Sequence, residues 1–230
     1  MLSQVEVLVA GLGMRINSSP IGFCTVSLVT TPDGQKVLVD TGAHPTRETL
    51  LAALRSKGLR PRDVDTVVLT HLHFDHCENV ALFASSRVIV HETEIAEARE
   101  HPDRDPYLAD FWQPLLDACS PSVMSGRTLS LGEGLDVVHL PGHRHGQLVV
   151  RALTADGVVV CSSDAAKNGR ELIVGHPVLS DPRMLKQAKE SVAWLLATAD
   201  VIIPGHDRPI HVVDGRPYWD QNQDVMTSWY

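Results

Sequence analysis

Positive charge is in short supply in this sequence. Only 20 Lys and Arg stand against 28 Asp and Glu, giving a formal net charge of -8. That balance argues against a nucleic-acid backbone or an anionic membrane face as the main partner. Cysteine is scarce too, and the four present (Cys24, Cys77, Cys119, Cys161) form no Cys-x-x-Cys pair. They are neither a disulfide framework nor a thiolate zinc knuckle, and free thiols in a reducing cytosol are the simpler reading. No apolar run approaches the ~20 residues of a membrane span. The N-terminus has no basic stretch before its short apolar run, so no signal peptide is expected. Linkers, low-complexity runs and short-period repeats are absent as well. The expectation is one domain over 1–230, cytoplasmic, whose partner is a small-molecule substrate rather than nucleic acid or membrane.

What is present alternates between β-rich runs and helical stretches. Strands are expected at 5–11, 24–31, 36–42, 65–71 and 86–91, with Pro32-Asp33-Gly34 turning a hairpin between the second and third. Residues 44–59 read as a helix, with Thr46 as N-cap, Leu50, Leu51 and Leu54 as its apolar stripe and Gly58 ending it. Residues 93–100 and 106–119 also read as helical. The second half repeats the pattern, with strands at 135–140, 147–153, 157–162 and 200–206. A helix at 181–198 is capped by Asp181, with Pro182 at its first position. Two similar β-rich halves imply sheets packed together with helices outside.

Histidine is plentiful, 12 of 230 residues, and "THLHFDHCEN" (70–79) concentrates it. On an extended or turning backbone His71 and His73 point the same way and can grip one ion. Asp75 and His76 follow a turn and face a second position, so the spacing suggests two sites. Imidazole and carboxylate without thiolate suit Zn²⁺, and also Fe or Mn. Three further donors stand at strand ends: His143 after Pro-Gly, Asp164 closing an apolar strand, and His206 after a second Pro-Gly. A carboxylate buried at Asp164 would be costly without a cation or another partner. The defined turn before His143 favours it over His145.

His-x-His-x-Asp-His, then Pro-Gly-His, a strand-terminal Asp and a last Pro-Gly-His resembles the metallo-β-lactamase-fold hydrolase superfamily. "LVDTG" (38–42) extends the likeness over nearly the whole chain. The resemblance implies an α/β fold, a four-layer αββα sandwich of two mixed sheets with outer helices, carrying two divalent metal ions. Carried over residue by residue, His71, His73 and His143 match the ligands of the first metal. Asp75, His76 and His206 match those of the second, Asp164 matches the bridging carboxylate, and Asp40 matches an aspartate that orients the ligands. Asp rather than Cys at 164 points away from β-lactamases. Two cations flanking one water would lower its pKa from about 15.7 toward ~7, so that hydroxide attacks a carbonyl. By the same analogy Asp75 moves the proton to the leaving group.

Phe74, "SSDAA" and "PGHD" look most like the N-acyl homoserine lactonases, which implies hydrolysis of a carboxylic ester, above all a lactone. The chain departs from those lactonases at three places. Lys167 stands where they carry a tyrosine that polarises the substrate carbonyl. Cys77-Glu78-Asn79 replaces small residues, and Arg144-His145-Gly146 replaces Thr-x-Gly-His. A Lys donor at 167 would perform the tyrosine's task or bind an anionic substrate. A glyoxalase II-like thioesterase is the alternative, weakened because only 24 residues follow His206. A metal-free binding or regulatory protein on the same fold is the second.

The remaining features read more plainly. "GLGMRINS" (11–18) is a turn rather than a dinucleotide loop, Cys77 is a buried apolar thiol, and His91, His139, His176 and His211 line surfaces or satisfy local hydrogen bonds. The tail 216–230 holds four of the eleven aromatics (Tyr218, Trp219, Trp229, Tyr230). It is expected to pack on the body, cover the site or join a homodimer interface.

Overall fold

The computed structural model describes residues 2–16, 19–101, 105–177 and 181–218. The first half runs β1 (Gln4–Val9), β2 (Leu12–Ile16), β3 (Ser19–Phe23), β4 (Val26–Thr30), β5 (Lys36–Val39), α1 (Arg47–Ser56), β6 (Thr66–Val68), α2 (Phe74–Cys77), β7 (Arg87–His91), α3 (Glu92–Glu100), α4 (Trp112–Asp117) and β8 (Ser122–Met124). The second runs β9 (Thr128–Gly132), β10 (Leu135–His139), β11 (Leu148–Thr154), β12 (Gly157–Ser163), α5 (Gly169–Val174), α6 (Leu185–Thr198), β13 (Val201–Pro204), β14 (Ile210–Val213) and β15 (Arg216–Tyr218). One sheet has the order β1-β4-β5-β6-β7-β8 and the other β15-β14-β13-β12-β11-β10-β9. Both are mixed: β5 to β8 pair in parallel, as do β12 and β13, and the rest is antiparallel.

Alternation along the strands creates the layers. In β5, Val37 and Val39 face the other sheet while Leu38 faces the helices, and in β12 Val159 and Cys161 oppose Val160 in the same way. The inner layer also takes Val68 and Ile89 from the first sheet and Val137, Leu148 and Val150 from the second. Outside the first sheet Leu38, Val67 and Val88 meet Leu50, Leu54, Ile95 and Trp112 of its helices. Outside the second, Val160 and Ile202 meet Leu172, Val192 and Leu195. Strands buried on both faces read as unbroken apolar runs. The result is the expected four-layer αββα sandwich, and no helix among the described residues is long and apolar enough to cross a membrane.

Several local expectations need correcting. Residues 44–46 form a 3-10 turn before α1. Thr46 does not cap α1 by accepting a bond, because its hydroxyl donates back to the Ala43 carbonyl at 2.9 Å. Helix over 106–119 shrinks to Trp112–Asp117. The backbone of 107–109 pairs with 72–74 rather than running on as helix: Phe74 donates to Tyr107 at 2.9 Å, and Ala109 to Leu72 at 3.2 Å. The supposed turn at 11–18 contains β2, paired antiparallel with β3. Residues 181–198 divide into a 3-10 turn and α6, with the Asp181 carboxylate accepting from Arg183 N. Residues 17, 18 and 219–230, including most of the aromatic tail, lie outside the described residues.

The first Pro-Gly-His uses its glycine for close approach. A Cβ on Gly142 would lie 2.7 Å from the Ala188 Cα in α6, so the His143 loop seats directly on helix backbone. Gly142→Ala is therefore expected to cost about 1–3 kcal/mol by overpacking. Urea unfolding would read this as a lowered midpoint, and an unchanged midpoint would contradict the packing argument.

Candidate metal centre

The chemistry-bearing side chains cluster where parallel strands end. β5 runs into Asp40, β6 into Thr70, His71 and His73, β12 into Asp164, and β13 into His206. Loops at the ends of rigid strands are where side chains can converge without disturbing a ladder. A backbone bond from Leu148 N to the Thr70 carbonyl, 2.8 Å, ties the edge of the second sheet to the first.

The seven sequence-predicted ligands fall into two groups, each with donor atoms within 4.8 Å of one another: His71, His73, His143 and Asp164, and Asp75, His76 and His206. Asp164 spans both. Its Oδ2 is 3.3 Å from His143 Nε2, and its Oδ1 lies 3.5 Å from His76 Nε2 and 3.3 Å from His206 Nε2. Asp75 Oδ2 approaches His76 and His206 at 3.6 and 3.5 Å. Among the described residues the buried His71 Nε2, His76 Nε2 and Asp164 Oδ1 have no hydrogen-bond partner. Buried polar atoms are seldom left so. Imidazole and carboxylate donors gathered this closely fit divalent cations.

The other ring nitrogens of His76, His206 and His73 are taken. His76 Nδ1 pairs with Asp40 Oδ2 at 2.8 Å, leaving Nε2 toward the cluster. Asp40 also accepts from Thr70 N (2.8 Å), the Thr70 hydroxyl (2.9 Å) and the Ser163 hydroxyl (3.0 Å). His206 Nδ1 donates to the Phe23 carbonyl at 3.0 Å. His73 turns the other way, its Nε2 held by Asp105 at 2.9 Å, so that Nδ1 faces His143. Burial pushes the His71 and His143 imidazoles well below their usual pKa, helped at His71 by neighbouring imidazoles and at His143 by the Lys167 ammonium. Both are thereby kept neutral, the form that can ligate. Burial alone would raise Asp164, but His206, His76 and His143 hold it well below the ordinary carboxylate range.

Several residues singled out in the sequence are structural. The Glu78 carboxylate accepts from His44 N at 2.7 Å, and Asn79 donates to the Thr41 and Ala43 carbonyls at 3.0 and 2.8 Å. Both brace the loop that follows Asp40. The Cys77 thiol is buried against the Leu72 carbonyl. His91 and His139 stack with centroids 3.8 Å apart and bond the Gly126 and His145 carbonyls. His145 stands apart from the two groups, 3.7 Å from Asp181 and 3.9 Å from Glu97. Lys167 is beside the site, its carbonyl accepting from His206 N at 2.8 Å. Sequence reasoning missed Glu94, Asp105, Thr70 and Ser163. Glu94 and Asp105 lie in ordinary polar stretches, and Thr70 and Ser163 precede known motif residues without a pattern of their own.

The Lactamase_B family model, the metallo-beta-lactamase superfamily, matches residues 20–206. The chain belongs to that superfamily. It is 34% identical over 179 residues to human metallo-beta-lactamase domain-containing protein 1, covering 77% of this chain and 60% of that relative. The chain thus spans about 60% of that protein's length. An N-acyl homoserine lactonase, AiiB of Agrobacterium fabrum, is 39% identical over 84 residues, covering 27% of this chain and 30% of that one. The crystal structure of a quorum-quenching N-acyl homoserine lactone hydrolase superposes with a TM-score of 0.72 at 22% identity, covering 90% of this chain and 93% of that chain.

The second Pro-Gly-His is tighter than the first. A Cβ on Gly205 would stand 2.1 Å from Asp164 Oδ1 and 3.0 Å from the Ser163 carbonyl carbon. Gly205→Ala is expected to displace the Asp164 carboxylate and lower bound metal by at least half. Elemental analysis checks this, and full metal content in the variant would contradict it.

Proposed function

We propose that this chain is a dinuclear, zinc-dependent hydrolase of carboxylic esters whose substrate is a small lactone. The observation that carries the reading is Asp164, whose two oxygens face the two histidine groups at 3.3 to 3.5 Å. A carboxylate so placed would help hold a divalent cation in either group. Bound divalent cations would supply an acidified water near neutral pH and polarise an ester carbonyl. No serine or cysteine nucleophile is then required. Cys24, whose sulfur lies within 4.8 Å of a His76 ring nitrogen, is pushed up to about 12 by burial and is a poor nucleophile.

The chain's own residues divide the remaining work. Asp75 reaches His76 and His206 and is the acid that returns a proton to the leaving alcohol. Lys167, close enough to His143 to depress its pKa, supplies the positive charge where a carbonyl oxygen gains negative charge. Likeness to the lactonase of Agrobacterium fabrum supports the lactone over other esters.

A panel of lactones, thioesters, phosphodiesters and β-lactams, run with Zn-, Mn- and Fe-loaded protein, tests the substrate class. Lactones are expected to turn over fastest, and thioesters outpacing them would overturn the assignment. His71→Ala and Asp164→Ala should abolish hydrolysis and reduce metal content while circular dichroism stays unchanged. Near-normal turnover in either would refute the assigned site. Lys167→Met is expected to lower kcat on a lactone by about 10²-fold, the usual loss of one oxyanion donor. Its metal content should not move, so a KM effect alone would assign Lys167 to substrate binding instead.

A further inference from the structure

Behind His73 lies a buried ionic cluster that the metal-ligand motifs do not contain. Asp105 Oδ2 takes the outward Nε2 of His73 at 2.9 Å, while its Oδ1 accepts from Tyr107 N at 2.9 Å. The same Oδ2 receives Nη1 of Arg144, the residue that follows His143. Arg144 Nε donates at 3.0 Å to Glu94 Oε1. Glu94 in turn accepts from Leu72 N at 3.1 Å and Gly146 N at 3.2 Å. His73, Glu94, Asp105 and Arg144 are all buried, at 4%, 0%, 7% and 5% exposure. A Cβ on Gly146 would lie 2.3 Å from Glu94 N, so only glycine lets that loop rest on the start of α3.

Charges in such a place must be compensated. Here one guanidinium bridges two carboxylates through separate nitrogens, a geometry its planar fork allows and an ammonium does not. The cluster also reaches both flanks of the site. Leu72 is the residue between His71 and His73, and Gly146 closes the turn that begins at His143. An acceptor fixed on Nε2 places the ring proton there and leaves the Nδ1 lone pair toward His143 and Asp164.

We propose that Glu94, Arg144 and Asp105 form a strut that sets the orientation of His73, and with it the affinity of the His71–His73–His143 group for its cation. The Asp75–His76–His206 group does not depend on the strut, because its rings are fixed by Asp40 and the Phe23 carbonyl. Asp105 and Arg144 are positioning residues: they act through His73. The inference rests on the metal-centre part of the proposed function but not on the lactone.

The test measures Co²⁺ binding by chelator competition and by the visible absorption of the ion, in two backgrounds. His206→Ala cripples the second group and reports the first, whereas His71→Ala does the reverse. Asp105→Asn is expected to weaken binding about 10–100-fold in the His206→Ala background and to shift the cobalt bands. In the His71→Ala background it should change affinity less than twofold. Arg144→Lys, which keeps the charge but not the fork that reaches Glu94 and Asp105 through separate nitrogens, should show the same selective loss at a smaller size, and serves if the Asp105 variant does not fold. Equal losses in both backgrounds, or none in either, would overturn the strut. A wild-type chain that takes up no cobalt would overturn the metal centre itself, a failure distinct from inactivity toward lactones.

Discussion

One carboxylate, that of Asp40, joins nearly everything that has to meet at the site. It sits at the end of β5 and accepts from Thr70 after β6, Ser163 at the end of β12 and His76 in α2. Those partners come from both sheets, so the bonds fix how the sheet edges face each other as well as how one imidazole points. The backbone bears a cost there. Asp40 and Ser163 adopt φ of 61° and 47°, a region that costs non-glycine residues of order 1–3 kcal/mol each. Such strain persists only where surrounding bonds over-determine it, and four acceptor contacts to a fully buried carboxylate do so.

Close approach by glycine is the second device. Gly142 rests on α6, Gly205 on Asp164, and Gly146 on α3, none of them needing a left-handed backbone. The hairpin β2-β3 uses the same means. A Cβ on Gly13 or Gly22 would come within 3.3 and 3.4 Å of the His206 side chain. In this chain the glycines of the site are spacers that let charged and ring atoms reach each other.

Much of this was legible in the sequence, for identifiable reasons. Strands buried on both faces write themselves as apolar runs, so β5, β6, β7, β11 and β12 fall where the runs do. The ligand set shows because imidazoles at fixed short spacing, repeated after Pro-Gly, are rare without a common purpose. What stayed hidden depends on contacts between distant segments. The 106–111 stretch has helical composition, yet its backbone bonds to 72–74 override it. Glu78 and Asn79 stand out in the sequence only as a departure from the lactonase motif, because their partners, His44 N and the Thr41 and Ala43 carbonyls, lie more than thirty residues back. Asp105 carries no local signal, since its meaning comes from His73 and Arg144.

The sheet-to-sheet division of the site has a consequence for the order in which the chain acquires its structure. His71 and His206 are separated by more than half the sequence, and Asp164 must reach both groups. No fragment ending before residue 206 holds the complete donor set. Contacts this distant in sequence slow folding as a whole. A nascent chain therefore carries only the His71–His73–His143–Asp164 donors as a complete group until His206, just beyond β13, has been made. The Asp75–His76–His206 group is thus completed only beside the last parallel pairing of the second sheet, whereas every donor of the other group lies earlier in the chain.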